Sequence, residues 1–145
     1  MENKRLFEED DIKDLKLMIA LSRTTKRVHA RSATIFMTGG LTASRFAVLE
    51  ALYHKGPLTI QQIIDAVLST PGNMTVVISN LVRDGLARRT VNAQDNRSAF
   101  IEITEKGRSY IQEIFPHHVI DLKDSFSDLS EEEKDQLIHL LKRIK

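Results

Sequence analysis

Apolar positions recur at helical spacing along most of this chain, and the period changes to strict alternation in only one region. Between Asp11 and Phe36 no proline or glycine interrupts two stripes, one of Ile12, Leu15 and Ile19 and the other of Leu17, Leu21 and Val28, which predicts a long first helix. The glycine pair in Thr38–Gly40 ends it, because glycine supplies the dihedrals a helix terminus requires. A second helix is predicted from Thr42 to about His54, burying Phe46, Leu49 and Tyr53, and Lys55-Gly56-Pro57 stops it. The third begins with a capping box, in which Thr59 caps while Gln62 reaches back to its backbone N–H. Its Ile60, Ile63, Ile64, Val67 and Leu68 fit the template of an amphipathic helix throughout. The fourth takes Thr70 as N-cap and Pro71 as its first residue, buries Met74, Val77, Ile78 and Leu81, and ends at Gly85.

The period then drops to two. Leu86–Val91 and Ser98–Thr104 alternate as strands, and the turn-forming "NAQDNR" of Asn92–Arg97 joins them into a β-hairpin. A long helix follows from Glu105 to about Phe126, with a kink expected at Pro116. Ser130 and Glu133 form a second capping box, and Leu137, Leu140, Leu141 and Ile144 give the last helix an apolar face. The fold class is mainly α with a small β-hairpin wing (α+β). Two short helices joined by a tight turn and followed at once by a hairpin make a winged helix-turn-helix.

With the fourth helix's stripe turned inward, its other face carries Gly72, Asn73, Thr75, Val76, Ser79, Asn80 and, one turn later, Arg83. Asn, Ser and Thr bond base edges, and Val or a Thr methyl meets a thymine methyl. Small residues at the start of the helix let its free N–H groups approach phosphate. Arg88 and Arg89, just behind, are suited to phosphates rather than bases. Arg97, at the hairpin turn, can reach a phosphate or a minor groove, with Asp95 orienting its guanidinium. Double-stranded DNA is the expected partner.

Composition narrows this further. The net charge of +1 hides an uneven distribution: Arg23, Lys26, Arg27, Arg31, Arg45 and Lys55 face Glu50 alone between residues 22 and 55, while both ends of the chain are acidic. A basic middle suits a polyanion bound on one face. The absence of cysteine excludes disulfides, thiolate zinc sites, cysteine nucleophiles and thiol redox switches. No run approaches the ~18 apolar residues of a membrane span, and "MENKRLFEEDD" lacks a signal-peptide core, so the cytoplasm is expected. No Gly-rich phosphate loop, HExxH or GxSxG occurs, so neither an enzyme nor a cofactor is expected. No metal is expected either, since the adjacent His117 and His118 would point ~100° apart on a helix. The rival reading is a winged helix serving as a protein-interaction module. Such a module loses its basic flank, whereas Arg88, Arg89 and Arg97 remain here.

The runs "LTASRFAVLEALYHKGPLTIQQI", "STPGNMTVVISNLVRDGLARR" and "DNRSAFIEITEKG" resemble the MarR family of winged-helix transcriptional regulators, over roughly Leu41 to Phe115. The resemblance implies a homodimer, with an N-terminal dimerisation helix in residues 1–40, the DNA-binding region in 41–104 and C-terminal dimerisation helices in 105–145. The uncovered apolar stripes near both ends agree with this. It implies a repressor on a pseudo-palindromic operator, with two readers ~34–36 Å apart. Thr70, Gly72, Asn73, Thr75, Val76, Ser79 and Asn80 would be the recognition-helix contacts, and Asp95 and Arg97 the wing contacts. Many members carry Asp-Arg where this chain has Ser79-Asn80, so neutral contacts replace a charged one. A small aromatic effector would release the DNA from a pocket between the dimerisation helices and the reader. His29, Phe36, Phe46, Tyr53 and Phe115 are its candidate lining, each equally suited to plain core.

Overall fold

The computed structural model describes residues 8–67, 71–91 and 99–145. Helix α1 (Glu9–Thr38) is followed by α2 (Ala43–Lys55), β1 (Leu58–Thr59), α3 (Ile60–Val67) and α4 (Pro71–Arg83). The wing strands β2 (Ala87–Val91) and β3 (Ala99–Ile103) lead into α5 (Glu105–Ser125) and α6 (Glu131–Lys142). Both capping boxes form as the sequence predicts. Gln62 N–H donates to Thr59 Oγ1 at 3.2 Å while Thr59 N–H donates to Gln62 Oε1 at 2.9 Å. Glu133 N–H and Ser130 Oγ, with Ser130 N–H and Glu133 Oε1, repeat this at 3.1 and 3.0 Å. Each cap satisfies N–H groups that the helix itself leaves without partners.

The pattern of alternation misses β1, which is too short to show a period. Leu58 and Thr59 pair antiparallel with Ile101 and Phe100, so the hairpin is part of a three-stranded sheet ordered β1-β3-β2. Helix α5 runs on through Pro116.

The core lies where α2, α3, α4, β3 and the first half of α5 meet. Phe46, Leu49, Leu52, Ile63, Met74, Ile78, Leu81, Ile101 and Ile111 are fully buried there. The four residues predicted as the inward stripe of α4 are all buried. Truncating one of them, Leu81→Ala for example, removes packing worth ~2–5 kcal/mol. Tyr53 departs from its predicted core position: it is half-buried, and its hydroxyl accepts a hydrogen bond from Gln112 Nε2 at 3.3 Å.

Helices α1 and α6 contribute little to this core. Only Ser32 and Phe36 of α1 are buried, and no residue of α6 is. The second half of α1 is held against α5 by Arg31, which donates to Asp121 at 2.8 and 3.0 Å and to Asp124 at 2.7 Å. No helix among the described residues is long and apolar enough by itself to cross a membrane.

Candidate nucleic-acid interface

Helix α4 ends cleanly because Gly85 takes φ of +75°, a left-handed conformation that disfavours a side chain. Leu86 N–H then returns to the Leu81 carbonyl at 2.9 Å and Gly85 N–H to the Val82 carbonyl at 3.1 Å, closing the last turn. The buried stripe fixes the rotation of the helix about its axis. Asn73, Thr75, Val76 and Ser79 are consequently exposed in a row, and Asn80 is half-buried at its edge. Val76 is 58% exposed in the middle of that row. Gly72 lies in the first turn of α4. Thr70, Asp95 and Arg97 lie outside the described residues.

Arg88 and Arg89, consecutive behind α4, do not form one cluster. Successive strand residues project to opposite faces of a sheet, so Arg88 and Arg89 point away from one another. Arg88 stands opposite Glu102 in the ladder, with its guanidinium 3.0 Å from that carboxylate. The bond raises the pKa of Arg88 and lowers that of Glu102 below the usual carboxylate range. Arg89 is exposed on the face it shares with Ala87 and Val91. Arg83 is largely exposed, with its Nε 3.3 Å from Asp84 Oδ1. Small polar groups on the helix, with arginines in its last turn and on the strand that follows, can address base edges and phosphates together.

The model of the MarR family matches residues 41–99, which spans the helix-turn-helix and runs into the wing. The chain is 39% identical over 132 residues to the HTH-type transcriptional regulator MhqR of Bacillus subtilis (strain 168), a match covering 91% of each protein. This chain belongs to the MarR family. It is a winged helix-turn-helix transcriptional regulator. The fold agrees with that of Sco3205, a MarR-family regulator from Streptomyces coelicolor solved in complex with DNA, at a TM-score of 0.84 and 15% identity over 98% of this chain and 89% of that one. It also agrees with Bordetella bronchiseptica BpsR, solved in a study of the regulation of its DNA binding by 6-hydroxynicotinic acid, at a TM-score of 0.78 and 24% identity over 86% of this chain and 89% of that one.

In this MarR-family chain a cavity of about 380 Å³ opens between the second half of α1, the start of α2, the end of α3 and α5. His29, Ser32, Phe36, Ser44, Val67 and His118 are among its lining residues. Of the five residues singled out in the sequence, His29 and Phe36 reach this cavity. Phe46 is buried and stacked on Phe36, with ring centroids 3.9 Å apart. Tyr53 and Phe115 sit elsewhere, each edge-on to His54 at 5.2 and 5.4 Å. Sequence reasoning did not place Ser32, Ser44 or His118 at this cavity; the His118 ring lies 4.9 Å from Phe36, and its buried Nδ1 has no partner among the described residues. Among the described residues no group of three His, Asp or Glu side chains converges as a metal site would.

Proposed function

We propose that this regulator is a cytoplasmic repressor that binds a pseudo-palindromic operator as a homodimer. Helix α4 enters the major groove while the wing meets the backbone and the adjacent minor groove. The carrying observation is the outer face of α4. Met74, Val77, Ile78 and Leu81 account for the helix's packing, and Asn73, Thr75, Val76 and Ser79 are left without a part in the fold. Thr70, Gly72 and Asn80 complete the base-facing set, and Arg83, Arg88, Arg89, Asp95 and Arg97 the backbone-facing one. Exposed apolar side chains support the dimer: Leu15, Leu17, Met18 and Ile19 on α1, Ile120 on α5, Leu137, Ile138, Leu140 and Leu141 on α6, and Ile144 just beyond it. Bare helix faces of this extent mark an association surface. The cavity beside Phe36 is suited to a small aromatic effector, which would shift the α1–α5 arrangement on binding and so alter the distance between the two readers.

The test is fluorescence anisotropy against duplexes recovered by the protein from a randomised pool, beside a scrambled duplex, at two salt concentrations. A preference of ~10³-fold or more, with affinity falling steeply as salt rises, is expected. Equal, weak binding to both duplexes would remove the operator reading and favour a protein partner for the α4 face.

A further inference from the structure

The C-terminal end of α4 is tied at one place to the start of α2 and the start of α5. Three successive carbonyls accept from the start of α5: Asp84 from Lys106 Nζ at 2.9 Å, Gly85 from the Thr104 hydroxyl at 2.7 Å, and Leu86 from Thr104 N–H at 3.1 Å. Gly107 allows this approach, because a Cβ there would collide with the Leu86 carbonyl oxygen. From the other side, Arg45 in the first turn of α2 places Nη1 3.2 Å from Asp84 Oδ2. That turn directly follows the corner closing α1, where Leu41 N–H bonds the Phe36 carbonyl at 3.2 Å. The corner after α1 and the start of α5 therefore converge on residues 84–86. Farther along, α1 and α5 are joined again by Arg31 with Asp121 and Asp124.

Two general considerations disfavour an acid at position 84. A carboxylate opposes the dipole at a helix C-terminus, and it opposes the approach of a polyanion to the reader. Ion pairs as exposed as Arg83–Asp84 contribute little to stability. The bond to Arg45 is different, since that side chain is only 21% exposed and links two separate helices. Leverage makes the placement consequential. Helix α4 is ~20 Å long, so a tilt of ~10° about its last residue moves its first turn by ~3 Å, more than a base-edge hydrogen bond tolerates.

We propose that Asp84 is a positioning residue for operator reading: its bond to Arg45, together with the Thr104 and Lys106 bonds to the same segment, is the joint through which α2 and α5 set the angle of α4. The inference rests on α4 being the DNA reader. Asp84→Asn removes the charge from the Arg45 bond and Arg45→Gln removes its guanidinium, each weakening the joint without emptying the core. Each is expected to lose about tenfold on the operator duplex that the wild type recovers from a random pool. On a mixed-sequence duplex the change stays below about threefold, with the salt slope unaltered. The double variant should lose no more than either single one. The preference between operators whose half-sites are one base pair apart in spacing should flatten in all three. Tightening of Asp84→Asn on both duplexes would overturn the proposal by making Asp84 a simple repelling charge. Equal loss on both duplexes with a lowered melting temperature would overturn it by making the joint merely structural, and so would wild-type behaviour. Failure of the wild type to recover any duplex would instead overturn the DNA reading itself, and this inference with it.

Discussion

Val76 is the residue at which the fold and the proposed DNA reading separate most cleanly. It is 58% exposed, so truncation leaves the core untouched and surface changes of this kind shift stability by only ~0.5 kcal/mol. Its flanking positions in the exposed row, Asn73, Thr75 and Ser79, can form hydrogen bonds; a valine among them has only shape and a pair of methyls to offer. Val76→Ala should leave the melting temperature unchanged and weaken operator binding about fivefold, near 1 kcal/mol, as loss of a thymine-methyl contact would. An operator with uracil in place of the contacted thymine should bind wild type and variant alike. If no single thymine shows this equivalence, Val76 does not read a methyl group. The helical period alone made this row legible, because once four positions are buried the opposite side of the helix is determined. The partner of Arg88 was not legible. Its pairing with Glu102 depends on strand register, and the connection from Asn92 to Ser98 is long enough to leave register open.

At the scale of elements, the caps determine where helices begin. Helix α6 buries nothing, so its local order within one chain rests on the Ser130–Glu133 cap and on charges matched to its dipole. The Ser130 backbone N–H and, next, its hydroxyl hold the Glu133 carboxyl below the usual carboxylate range, and Lys134 does the same for Glu131. A pKa lowered by folding stabilises the folded state above the unfolded pKa, and that contribution is lost as pH falls through the lowered value. The protection of the Ser130 amide and the first turn of α6, taken relative to the intrinsic exchange rate at each pH, should therefore fall as the pH drops below the ordinary carboxylate range. Ser130→Ala should produce the same loss of protection at neutral pH. Protection that is independent of pH in the wild type would assign the start of α6 to packing instead. Both capping boxes were readable because all their parts lie within four residues. Strand β1 was not, since its two residues become a strand only by meeting β3.

For the whole molecule, the question is what covers α6 and the first half of α1. Leu137, Leu140 and Leu141 are 44%, 53% and 42% exposed, beside a core that is otherwise well closed. A homodimer buries such faces, and it also ties two readers together so that the second half-site binds at high effective concentration. If the proposed dimer forms through α6, Leu141→Glu should sediment as a monomer at concentrations where the wild type sediments as a dimer. Its operator binding should fall to that on scrambled DNA, although the reader itself stays folded. A variant that remains dimeric would move the interface away from α6. The apolar stripes at both ends, and that they would stay uncovered in one chain, were visible in the sequence; how α2 to α5 close the core without them was not.

The sequence by itself determined the order and limits of most helices, two caps, the inward stripe of α4 and hence its outward row, and the wing. Each of these is encoded by residues within about two helical turns or one hairpin of each other, where backbone geometry leaves little choice. The tertiary structure alone decided which distant side chains meet. It brought His118 of α5 beside His29, Ser32 and Phe36 of α1 around a cavity, held Arg88 on Glu102, and joined Arg45, Asp84 and Thr104 at one corner. Those meetings depend on crossing angles, strand register and the direction of each helix after its turn. These emerge from packing the whole core at once, so no short stretch of residues specifies them.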